Sequence, residues 1–151
     1  MSIVRALMLL ALIAWIGGIM FFAFVLAPTV FRVLPVSLAG NVVSPSLSVL
    51  HWIGIISAAV FLVCSLIYNQ FKYARLKPLA AVHVLIVVML ALTLVSQFGI
   101  TPRMHTLLPQ IESAPGARAE FDRLHAWSTR SEGGVLFLGL AVVVLTARRF
   151  S

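Results

Sequence analysis

The residues that could do chemistry are few, and they sit where polarity is costly. Between Phe121 and Gly134 the chain reads FDRLHAWSTRSEGG, on the approach to its last apolar stretch. Within it His125, Ser128 and Glu132 fall at i, i+3 and i+7, so a helix would present all three on one face. His51 opens another apolar run, and Arg103, Met104 and His105 follow a third. Imidazole binds copper, zinc or iron, and a thioether favours Cu(I). Two imidazoles at matched depth on different helices would also suit axial haem ligation. The spacing therefore predicts a metal or haem site with His51, His125 and His105 as metal ligands. Arg103 and Glu132 are expected around the group, Arg103 neutralising Glu132, and Ser128 would orient a ligand. The residues do not name the cofactor; haem b or copper would fit such a site. Plainer readings stand beside this one: His51 as an interfacial residue, His105 as an exposed loop residue, Glu132 in a purely structural ion pair, and His83 as a packing residue at the other end.

The elements that would position these groups are set by composition. The 151 residues are 62% hydrophobic and 10% charged, against about a quarter charged in a soluble domain. An apolar fraction this large cannot be hidden in a soluble protein of this length, so lipid is the expected solvent. Runs near the ~20 residues needed to cross the hydrocarbon give helices over about 3–27, 47–68, 78–111 and 117–148. The first is too long for the apolar core of a signal peptide, about 7–15 residues, and reads as a retained helix. The expected fold is an all-α integral membrane protein, a four-helix transmembrane bundle forming a single domain over 1–151. His51 lies 17 residues before Tyr68, about 25 Å at 1.5 Å per residue, just inside one boundary. Glu132 lies 15 residues before Ala147, about 22 Å up by the same rise. An ionisable group there costs a few kcal/mol unless it is paired or faces the bundle interior.

Net charge is +7. Arg5, Lys72, Arg75, Lys77, Arg148 and Arg149 fall on one side with no acid, three of them in the short turn 70–77; Arg32, Arg103, Arg118, Arg123 and Arg130 fall on the other, with Glu112, Glu120, Asp122 and Glu132. Basic loops stay cytoplasmic, so both termini are expected there, with anionic lipid as a contact for the basic end. The connection Asn69 to Lys77 reads as a tight basic turn. Pro28 to Ser46, with its prolines, reads as an irregular loop or short surface helix. Ser113-Ala114-Pro115-Gly116 reads as the break before the last helix. A shift of 74 residues carries Pro28 onto Pro102, Pro35 onto Pro109 and His51 onto His125. Two pseudo-repeated hairpins related by an axis along the membrane normal would produce that pattern. Trp15-Ile16-Gly17-Gly18, with Ala14, is a small-xxx-small surface for close helix approach.

Several functions lose support. The chain has no phosphate loop, dinucleotide fingerprint or nucleophile elbow, and no CxxC. Nothing resembles a nucleic-acid module, so no nucleic-acid partner is expected. Cys64 is the single cysteine, which excludes a disulfide within the chain.

Trp15 with Gly17-Gly18, Pro28 leading to Phe31 and Leu34-Pro35, His51, Pro102-Arg103 and the stretch Phe121-x-x-Leu124-His125-x-x-Ser128 together resemble the small four-helix membrane family typified by transmembrane protein 205. Its bacterial homologues carry a domain of unknown function. Some relatives have asparagine where this chain has Glu132, and His105 stands outside the pattern. The Trp-x-Gly-Gly helix is also similar to one in copper-resistance D-type membrane proteins. The resemblance implies a multi-pass membrane protein and no established activity.

The expectation is thus a multi-pass protein of a bacterial inner membrane that binds or handles a metal ion or haem at an outer-leaflet histidine site. A non-catalytic accessory subunit of a larger membrane complex is the alternative, with a membrane protein partner or a homodimer as its assembly. A small-solute or proton-coupled transporter using Glu132 is another. Enzymatic activity is the least expected reading.

Overall fold

The computed structural model describes residues 2–73, 81–111 and 113–150. Four helices there are long and apolar enough to cross a membrane, and the chain is a multi-pass membrane protein built as an all-α four-helix bundle. We label them α1 (Ser2–Val33), α2 (Val36–Tyr73), α3 (Ala81–Gln110) and α4 (Pro115–Phe150). No strand occurs among the described residues. α1 packs on α2, α2 on α3, α3 on α4, and α4 closes the ring on α1. Contacts run in opposite directions along each sequential pair. Arg5 meets Tyr68, for example, while Gly18 meets Leu50, so the bundle goes up and down in chain order.

The elements are longer than the apolar runs. Residues 28–46, expected to be irregular, are helical except for a break at Leu34-Pro35, and α2 carries Pro45 within it. Pro45 is the tenth residue of α2, inside the helix, so α2 lacks the backbone bond to the Asn41 carbonyl that another residue there would make. α2 likewise runs further than expected, to Tyr73, through the first residues of the expected basic turn; residues 74–80, with Arg75 and Lys77, lie outside the described residues, as does Glu112. The break before α4 falls at Ser113-Ala114, as anticipated from the turn residues.

α1 and α3 each widen just before a proline, Pro28 and Pro102. Phe22–Leu26 and Ser96–Ile100 are π-helical, and Ala27 N–H and Thr101 N–H reach back five residues to the carbonyls of Phe22 and Ser96. A proline ring collides with the carbonyl four residues earlier; for Pro28 that is Phe24 and for Pro102 it is Phe98. A π turn moves that carbonyl aside. The two segments and the helical pieces after them, Ala27–Val33 and Thr101–Leu107, are related by the same 74-residue offset seen in the sequence.

The core is apolar and close-packed around Trp15, Phe61, Ile86 and Met89. A Cβ on Gly54 would lie 2.5 Å from Trp15 Nε1, and one on Gly139 2.8 Å from Ile16 Cγ1. Glycine at these two places lets α1 approach α2 and α4 closely enough to bury the indole. One end of the bundle is sealed by buried Tyr68, with the cationic groups of Arg5, Lys72 and Arg149 5.3, 5.5 and 6.0 Å from its ring. Arg149 also donates to Ser65 Oγ at 3.3 Å and to Asn69 Oδ1.

Candidate functional site

At the opposite end, His51 is the most completely buried titratable side chain of the site, 2% exposed. Its two ring nitrogens are both engaged. Nδ1 lies 2.9 Å from Gln97 Oε1 on α3 and Nε2 lies 2.8 Å from Glu132 Oε1 on α4. An amide oxygen only accepts, so the proton on Nδ1 points at Gln97, and the tautomer follows from that bond. Gln97 is itself held, its Nε2 donating to Ser48 Oγ at 2.9 Å, one turn before His51 on α2. One further proton lies between Nε2 and Glu132. On the ring it makes an imidazolium–carboxylate pair; on the oxygen it makes two neutral groups. The pair has zero net charge either way, which is how two titratable groups reside at this depth.

Local structure explains the placement. Gln97 lies inside the π segment of α3, so the distortion imposed by Pro102 sets the direction of its side chain. Its neighbours brace it: Phe98 meets Trp52, the residue after His51, edge to face at 6.1 Å. π turns of this kind recur at functional sites.

Glu132 has a second neighbour. It lies on the wall of a cavity of about 570 Å³ enclosed by all four helices in the same half of the bundle, a volume within the range of small-molecule sites. The wall is mainly apolar. Five phenylalanines contribute to it, Phe22, Phe24, Phe31, Phe121 and Phe137. Phe22 and Phe24 come from the π segment of α1. Phe24 and Phe137 both line the cavity and are exposed, so it opens between α1 and α4, on the lipid-facing side.

Of the expected site residues, Glu132, Ser128, His105 and His125 line this one cavity and His51 bonds to Glu132, whereas Arg103 lies apart. His125 is exposed, its ring stacked parallel to that of Phe121 with centroids 6.3 Å apart, and it lies on the cavity wall. No hydrogen bond joins it to His51, which faces Gln97 and Glu132 instead. His105 is exposed, bonds Ser44 Oγ at 2.8 Å through Nε2 and also lines the cavity. Ser128 is buried on the wall. Arg103 does not neutralise Glu132: its Nε donates to Glu120 Oε1 at 2.7 Å on the outer surface. Glu120 is three turns further from the membrane centre than Glu132, at the level where α3 ends, so it is the acid within reach. Among the described residues no three His, Cys, Asp or Glu side chains converge as a metal site requires, and the geometry gives no support to the metal or haem reading. The reading of His51 as an interfacial residue fails on its burial. His83, expected to be a packing residue, is buried in α3 near the other end.

Sequence reasoning missed Gln97 and Ser48. A signal was present: Gln97 is the lone amide in the apolar run 81–100, and Ser48 precedes His51 by one helical turn. The 74-residue offset also marks the asymmetry of the site. It carries His51 onto His125, but Gln97 and Glu132 correspond to Ala23 and Ala58, so the second histidine has neither partner.

No curated protein and no solved structure matches the chain. A family model does, over a span that contains Ser48, His51 and Gln97 and ends before Glu132. The comparisons do not extend to transmembrane protein 205 or to the copper-resistance D-type proteins. With residues 10–113 of its 151 matched, the chain belongs to the family defined by a domain of unknown function, DUF4149.

Proposed function

We propose that this protein binds a small, largely apolar molecule in the cavity, and that the Glu132–His51 pair couples its occupancy to a proton, as a proton-linked membrane carrier requires. The observation that carries the reading is the position of Glu132. One carboxyl oxygen accepts from or donates to a buried imidazole, and the same side chain forms part of the cavity wall. An intramembrane carboxyl group in contact with both a proton partner and a ligand space is the arrangement from which proton relays are made. Metal or haem ligation by His51 would require the ring to give up Gln97 or Glu132.

Nile red, a neutral apolar probe, tests the cavity. Purified protein is expected to bind it saturably, above the signal of protein-free micelles. Gly133 lines the cavity and a side chain there meets nothing within 4 Å, so Gly133→Trp should fill the space and abolish the saturable signal. Binding that persists in a folded Gly133→Trp protein would sink the reading.

A further inference from the structure

Given the cavity and the proton-linked pair, we infer that the ligand is a lipophilic monocation, taken up in exchange for one proton from the Glu132–His51 pair. The inference rests on the cavity reading above and adds the sign of the ligand's charge.

Charge complementarity argues it first. Among the described residues Glu132 is the single carboxyl group on the wall, and no lysine or arginine lines it. Of the arginines at this end, Arg103 is bonded to Glu120, Arg118 pairs with Asp122 and Arg130 lies over the Trp127 ring, while Arg32 and Arg123, beside the wall residues Phe31 and Phe121, are exposed and do not line the cavity. Of the two carboxyl oxygens, Oε1 is the one bonded to His51. The ring faces of the phenylalanines add to the attraction, since an aromatic face carries negative potential and attracts a cation. A lipophilic cation also matches the opening between α1 and α4, which a solute would reach through the bilayer.

Charge conservation argues the exchange. With its proton, the pair is neutral. A monocation entering beside it would leave one uncompensated positive charge in an apolar wall, which costs several kcal/mol. If the shared proton leaves, the carboxylate is retained, His51 stays neutral with its Nδ1–H on Gln97, and cation plus carboxylate again sum to zero. One cation bound for one proton released keeps the buried charge constant, and the Gln97 bond keeps the ring in the tautomer that each state needs. The other titratable groups on the wall are His105 from α3, bonded to Ser44, and His125 from α4; α1 and the outer part of α2 contribute none.

Two ions of matched size and shape and opposite charge provide the test. Tetraphenylphosphonium is expected to bind the purified protein at least tenfold more tightly than tetraphenylborate, and in weakly buffered solution to release one proton per cation bound. Glu132→Gln should lose both the preference and the proton release, while Glu132→Asp, which keeps the carboxyl group, should retain them. Equal or tighter binding of the borate, or phosphonium binding with no proton released by the unmodified protein, overturns the inference, and neither readout depends on a variant that folds. The two readings fail separately. Loss of saturable Nile red binding would remove the cavity itself. Nile red binding without a phosphonium preference would remove the charge assignment alone.

Discussion

At the scale of single residues, the central fact is that Glu132 and His51 are tolerable only together. The imidazole is buried, its Nε2 is 2.8 Å from the carboxyl group, and each neutralises the other's cost. Removing one partner from such a pair costs about 3–5 kcal/mol, whereas replacing both by apolar groups is often nearly neutral. His51→Leu is therefore expected to lower the unfolding midpoint of the detergent-solubilised protein sharply. His51→Leu combined with Glu132→Leu should recover most of the loss. A double variant as unstable as the single one would show that the pair is not the stabilising unit. By contrast, Arg103 and Glu120 are joined by a bond on the surface, where screening and side-chain entropy leave such pairs little net effect, and Glu120→Gln should leave the midpoint unchanged. This contrast also explains how much of the site was legible. Polar types in apolar runs marked His51, Glu132 and Ser128 from sequence alone, since depth and helical phase are arithmetic. Which partner each one meets depends on how α3 and α4 rotate about their axes, and helical phase within one chain segment does not fix that. Arg103 accordingly bonds Glu120 where Glu132 is expected, and the hydrogen-bond partners of His51 are Gln97 and Glu132.

At the scale of elements, two devices position the site: close helix contacts at glycine and π turns at proline. Trp15 is held because Gly54 has no side chain, and the indole is rigid, so an added methyl has nowhere to go. Overpacking of this kind costs about 1–3 kcal/mol. Gly54→Ala is expected to lower stability by that amount. Gly17→Ala, where a Cβ meets nothing within 4 Å, should raise it by up to about 1 kcal/mol through helix propensity. The same measurement of unfolding midpoints reads both, and a destabilised Gly17→Ala would mean that α1 contacts something on that face. The four helices themselves were legible because apolar length is a strong signal. Their outer ends were not. Residues 28–46 look like a loop by proline content, yet they continue as helix because they close the cavity against α3 and α4. Pro28 and Pro102 were seen as a repeat, but a proline alone does not say whether a helix stops, kinks or widens. The matched π segments decide that, and they make the two halves more alike in backbone than in side chains.

At the scale of the whole molecule, the described acids share one end with the cavity, and an acid-free basic cluster marks the other. Arg5, Lys72 and Arg149 gather about Tyr68 at one end. The described acids Glu120, Asp122 and Glu132 all belong to the other end, with the cavity. Lysine and arginine within short segments next to a span hold that side in the cytoplasm, so the Tyr68 end should face inward and the cavity outward. Cys64 is the one native cysteine and is buried, so a Cys64→Ser background makes the orientation measurable with single introduced cysteines. Cysteine at exposed Ser113, between α3 and α4, should react with an impermeant maleimide in intact cells. Cysteine at exposed Arg148 should react only after lysis. The reverse pattern would place the Glu132–His51 pair and the cavity mouth in the inner leaflet. A carrier loading from that side would then draw its lipophilic cation from the cytoplasm and release its proton there. With the orientation argued here, proton and cation are instead exchanged at the outer leaflet, and the basic cluster at Tyr68 anchors the closed end against anionic headgroups.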